Sequence, residues 1–120
     1  MDVVIVILKI IFGGFFSYAG IMHIIKPNIF KHFIPDIFPK KLVNYSIGLI
    51  ELVLGLGVFF PQTQKIAALG IIFLLIFLLP IHFWDITKKR PAIGSKTIAI
   101  VRIPFQFVLI YGAYLIYIYA

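Results

Sequence analysis

Glu51 stands near the middle of an apolar run from Val43 to Phe60. An ionised side chain in that setting costs about 2.5–3.5 kcal/mol on insertion scales. The carboxyl must therefore carry a proton, or face a cation or several donors. Two roles suit it: a proton- or ligand-binding group, or a hydrogen bond that holds two helices in register. A second set of polar residues flanks other apolar runs. His23 ends the first. His82 and Asp85 end the third at an i, i+3 spacing, and Arg102 and Gln106 begin the fourth at i, i+4, so each pair shares a helix face. The headgroup of a ligand in an apolar slot needs one or two donors, and His23, Gln106 or a protonated Glu51 would supply them. Trp84, Tyr45 and Phe105 are available to cover a ring. Arg102 has two simpler uses, a lipid phosphate or a pairing with Asp85 that is worth little if solvated.

Other chemistries lack their residues. The chain has no cysteine, which removes disulfides, thiolate metal sites and CxxC redox chemistry. The histidines and acids show no HxxxH or ExxH spacing, so no metal is expected. Gly55 and Gly57 form a GxG inside an apolar run rather than a phosphate loop, and Ser17 and Ser46 are embedded in helices. No catalytic motif marks the chain as an enzyme.

The elements that must position these groups follow from composition. Of 120 residues, 62% are hydrophobic and 12% charged, with a net charge of +7. A soluble domain is nearer half apolar and a quarter charged, so a water-soluble globule and a nucleic-acid-binding module are excluded. A membrane helix takes roughly 20 residues. Val3–Ile25, Val43–Phe60, Ile66–Trp84 and Thr97–Tyr119 meet that need, and their continuous apolar character argues against a barrel. The expected fold is all-α: one domain over residues 1–120, an up-down antiparallel transmembrane four-helix bundle. The first run contains Lys9 and lacks a basic leader and a cleavage site, so it reads as a retained helix with Lys9 snorkelling to the nearer interface.

Charge sets the expected orientation. The 26–42 connection carries Lys26, Lys31, Lys40 and Lys41, and the 85–96 connection carries Lys88, Lys89, Arg90 and Lys96. The positive-inside rule places both loops in the cytoplasm of a cell (inner) membrane protein and both termini outside. Tyr111, Tyr114, Tyr117 and Tyr119 then anchor the outer interface. Small or polar residues form stripes, Gly13, Ser17 and Gly20 on the first helix and Asn44, Gly48, Glu51 and Gly55 on the second, and the two stripes are expected to meet. Ile71–Leu79 suits lipid contact on much of its circumference, and Pro80 frees a carbonyl one turn back. In an up-down bundle His23, His82, Asp85, Arg102 and Gln106 fall at one end, forming a polar mouth above Glu51, with His32 in the adjoining loop.

The run from Gly20 to Phe83 resembles the DoxX-like family of four-helix membrane proteins. The likeness is carried by His23, Pro27, Phe30, Pro35 and Pro39, then Ser46, Gly48, Glu51 and Gly55, then Pro61, Ala67 and Pro80, and last by Arg102-x-Pro104-x-Gln106. Many relatives place an asparagine soon after the third-helix proline, where this chain has Ile81-His82. The family takes its name from a membrane subunit of a quinone-reducing sulfur-oxidising system. Other branches are tied to respiratory or oxidative-stress assemblies, and a eukaryotic branch to receptor assembly. The resemblance implies an accessory membrane subunit that binds a quinone-like or other amphipathic ligand, with a quinone as the candidate cofactor. The lipid bilayer and a membrane redox partner or second copy are the expected partners. A proton-coupled transporter and a scaffold without a small-molecule site are the alternatives.

Overall fold

The computed structural model describes residues 2–88 and 94–119. Four helices form: α1 (Asp2–Ile25), α2 (Lys40–Gly57), α3 (Gln64–Ile86) and α4 (Lys96–Tyr119). A short 3-10 helix, Pro27–Phe33, follows α1. Lys89 and Arg90, two members of the expected basic rim, lie outside the described residues.

Helix ends follow local chemistry. α2 begins at Lys40, directly after Pro39, three residues earlier than the hydropathy boundary suggests. Lys40 fits this first helical turn because its Nζ turns back to the Lys31 carbonyl and to Asp36 Oδ1 (2.8 Å), while Lys41 is exposed. The same helix stops at Gly57 rather than Phe60, because the Thr63 hydroxyl donates to the Gly57 carbonyl (2.6 Å) and closes the turn. α4 starts after Ser95, whose Oγ accepts the Ile98 N–H (3.1 Å), the usual N-cap arrangement. Gly94 precedes it at φ 118°, a region that favours glycine.

α1, α3 and α4 are long and apolar enough to cross a hydrocarbon core. α2 does not qualify with them, although four spans were expected. Its 18 residues include Lys40, Lys41 and Glu51, and at 1.5 Å per residue they extend only ~27 Å. The outside of the bundle is apolar all round: Ile7, Phe15, Leu49, Phe73, Phe77, Phe107 and Val108 are among many large exposed side chains. A surface of that kind suits lipid rather than water.

The helices pair as two antiparallel hairpins, α1 with α2 and α3 with α4. The expected stripes do meet in the first. A Cβ on Gly20 would fall 2.5 Å from the Gly48 carbonyl oxygen, and one on Gly55 would fall 2.5 Å from the Ser17 nitrogen. Such backbone-to-backbone approach is how helices associate in lipid, where apolar burial alone gives little drive. α3 divides its faces: Phe73, Ile76 and Phe77 point outward, whereas Ile71, Leu74 and Leu75 are buried in the core. With Phe12, Phe16, Val58, Ala67, Ala68, Ala113 and Ile116 they fill the half of the bundle near the α2–α3 turn. Lys9 reaches that same end, where its Nζ donates to Oε1 of Gln64, the first residue of α3 (2.9 Å).

The backbone contact gives a direct test. Gly20→Val should destabilise the purified protein by about 1–3 kcal/mol, because the backbone atoms it meets have no rotamer to yield. Gly14→Ala, with nothing within 4 Å of its new Cβ, should leave stability equal or higher. Thermal unfolding in detergent compares the two.

Candidate functional site

At the opposite end the hairpins do not close on each other. A cavity of about 330 Å³ lies between them, lined from all four helices and from the 3-10 helix. His23, Glu51, His82, Arg102 and Gln106 all line it, as do Phe15, Phe16, Phe30, Phe33 and Phe105. Five of the polar side chains singled out from the sequence therefore border one space, while Asp85 and His32 stand outside its lining.

The α1–α2 stripe does the placing. His23 continues the Gly13–Ser17–Gly20 face by three residues, and Asn44, Gly48, Glu51 and Gly55 are the buried face of α2. Asn44 Nδ2 donates to the Pro27 carbonyl (3.1 Å), which leaves its Oδ1 toward His23 Nδ1 at 3.0 Å. An amide oxygen only accepts, so Nδ1 carries a proton. The other ring nitrogen, Nε2, faces Glu51 Oε1 at 3.5 Å. Two bare acceptors so close would repel, so a proton resides on the pair, on the carboxyl or on Nε2. Phe30 stacks on the His23 ring, 3.7 Å between centroids and 24° from parallel. Ser17 is not the partner of Glu51; its Oγ has no hydrogen bond among the described residues.

The α3–α4 side supplies fixed charge. Asp85 is fully buried, and Arg102 Nη2 donates to its Oδ2 at 3.2 Å, with Lys88 Nζ 3.7 Å from Oδ1. The expected pairing is present, but buried rather than solvated: the Arg102 side chain is 13% exposed. Removing one member of such a pair leaves an uncompensated charge, so it acts as a structural tie. Arg102 also lies over the Phe33 ring (5.5 Å). Gln106 Nε2 donates to the Leu75 carbonyl (2.9 Å), the residue before the carbonyl that Pro80 leaves without its helix donor. Two buried nitrogens in this wall, Arg102 Nε and His82 Nδ1, have no partner among the described residues.

Three expectations change. Trp84 and Tyr45 do not line the cavity: Trp84 lies beneath Lys88 Nζ, 4.2 Å from the ring centroid, and Tyr45 is exposed. Phe30 and Phe33 take the covering role. Their i, i+3 spacing after Pro27 was the available signal, since a 3-10 turn eclipses i and i+3. His32 stays exposed outside the lining and contributes only its carbonyl, to Lys88 Nζ (2.6 Å). Asn44, read from the sequence as a packing residue, is instead the group that orients His23. Among the described residues no three His, Cys, Asp or Glu side chains gather to hold a metal ion.

These features define a class: a small all-α bundle of membrane character with a single-ended polar cavity. The chain matches, over residues 12–117, the family described as Domain of unknown function (DUF8561), and belongs to it. The match takes in every residue that lines the cavity. No curated protein and no solved structure matches the chain.

The shared-proton geometry makes its own prediction. Nitrogen NMR of labelled protein should show His23 protonated at Nδ1. Glu51→Gln, which still offers a donor to Nε2, should hold stability within about 1 kcal/mol, whereas Glu51→Ala should lose about 1–3 kcal/mol. A neutral His23 protonated only at Nε2 would contradict this arrangement.

Proposed function

We propose that this protein is a DoxX-like, four-pass membrane protein whose cavity binds a quinone-like or other amphipathic ligand, as an accessory subunit of a membrane redox or respiratory assembly. One observation carries the reading: six polar side chains converge on a mostly apolar cavity, and two of its buried nitrogens have no hydrogen-bond partner among the described residues. Ligand sites are commonly apolar clefts with a few convergent polar groups. Arg102 Nε can only donate, so the ligand should present an oxygen acceptor there. A quinone carbonyl has that character, and the phenylalanines offer faces to its ring. The resemblance in the Gly20–Phe83 run and the Arg102-x-Pro104-x-Gln106 motif supports the redox setting.

His82 offers the sharpest test because its Nδ1 has no hydrogen-bond partner among the described residues. Titration of a short-chain benzoquinone into the purified protein should give saturable binding. In His82→Leu the affinity should fall about tenfold, the size of one lost hydrogen bond, with stability changed by no more than about 1 kcal/mol. Equal affinity in wild type and variant would overturn the site.

In the same reading α2 also crosses the bilayer, with both long basic loops in the cytoplasm and both termini outside. The charge asymmetry supports it. The longest extent of the fold, 43 Å, is close to a bilayer with its headgroup regions. A cysteine placed at Lys31 should react with an impermeant maleimide only when the cytoplasmic face is open; reaction in intact cells would reverse the orientation.

A further inference from the structure

The seam between α1 and α4 holds a second cavity of about 140 Å³, walled only by apolar side chains. Four of its lining residues, Phe15, Phe16, Phe105 and Leu109, also line the main cavity, so the two spaces adjoin across these side chains. The remaining two, Ile11 and Phe12, lie about one turn further from His23. Along α1 the distance from Ile11 to His23 is ~18 Å. Ile11, Phe15 and Phe105 are each more than half exposed, which opens the slot on the flank of the bundle. That flank is formed by two helices apolar enough to lie in hydrocarbon. α1 and α4 pack less closely than the partners within either hairpin, and they meet where Phe12 lies against Gly112.

The polar end of the main cavity is covered. The 3-10 helix lies over it, pinned by three side-chain donors: Asn44 to the Pro27 carbonyl, Lys40 to the Lys31 carbonyl (3.0 Å) and Lys88 to the His32 carbonyl. Phe30 on His23 and Phe33 beneath Arg102 add ring contacts below. A ligand arriving from the basic face meets these bonds, whereas among the described residues no side-chain hydrogen bond crosses the α1–α4 seam.

We propose that the seam slot holds the single apolar tail of the ligand whose polar head occupies the main cavity, and that the ligand reaches the site sideways from the membrane between α1 and α4. The inference rests on the ligand reading above and narrows it to a lipid-like molecule with one tail and a head bearing an acceptor oxygen. An isoprenoid quinone and a fatty acid share that chemistry. The head lies by His82 and Arg102, and the tail runs past Phe16 and Phe105 toward Ile11.

Three probes separate the outcomes in full-length protein held in nanodiscs: a tail-free dimethoxybenzoquinone, its decyl derivative and decanoic acid. The decyl quinone should bind at least about tenfold more tightly than the tail-free compound, a gain that a few buried methylenes supply. Ile11→Trp, which fills the slot, should remove most of that gain while the protein stays folded by circular dichroism. Decanoic acid binding with neither quinone bound would uphold the tail slot and overturn the quinone reading. Equal affinity of the two quinones would overturn the slot and leave the quinone reading standing. A tail gain undiminished in Ile11→Trp would be partition into the bilayer and would equally overturn the slot. Failure of all three probes to bind would overturn both.

Discussion

Backbone contact between α1 and α2 at Gly20 and Gly48 is the constraint on which the rest depends. A Cβ at either position would fall within 3 Å of the other helix's backbone, so the two axes can be this close only with hydrogen there. In lipid the approach is worth more than in water, because apolar burial no longer separates packed from unpacked helices. The same face that brings the helices together carries the chemistry. Continuing it by three residues on α1 reaches His23, and on α2 it includes Asn44 and Glu51. A larger side chain at Gly20 would separate His23 from Glu51 as well as the helices.

The second hairpin is held differently. α3 and α4 share small and aliphatic contacts at the core end, among them Ala68, Ile71, Ala113 and Ile116. At the other end the tie is the Asp85–Arg102 pair, fully buried on the acid side. A buried pair contributes little net stability over an apolar replacement, yet losing one member is costly. It fixes the α3–α4 register and holds Arg102 in the cavity wall. Gln106, bonded to the Leu75 carbonyl, repeats the tie about one turn deeper. The core fills one half of the bundle, and the polar residues occupy the other without filling it. That unequal filling is why a cavity exists, and why its donors stand at one end of it.

Much of this was legible in the residues. The four helices follow from apolar runs, since hydropathy is local and adds along the chain. The meeting of the small-residue stripes follows from their three- and four-residue spacing. The gathering of His23, His82, Arg102 and Gln106 follows from an up-down order that puts those helix ends together. The ends of α2 were less legible, because Lys40 and Lys41 read as loop although a first helical turn accommodates them. The covering 3-10 helix was missed too: its hydrogen bonds come from Asn44, Lys40 and Lys88, residues distant in sequence. Trp84 and Tyr45 were sensible ring covers by type, but the rotation of their helices turns them away from the cavity.

The sequence by itself determined a helical bundle of membrane character, the glycines that bring α1 and α2 together, and the few polar groups that lipid would not tolerate unpartnered. Each of those properties depends on side-chain type and on spacing within one helix. Only the tertiary structure decided that Asn44 orients His23, that Asp85 is buried rather than solvated, and that an apolar slot in the α1–α4 seam adjoins the main cavity. Those outcomes depend on distances between helices, which are set by packing across the bundle and have no counterpart in any single segment.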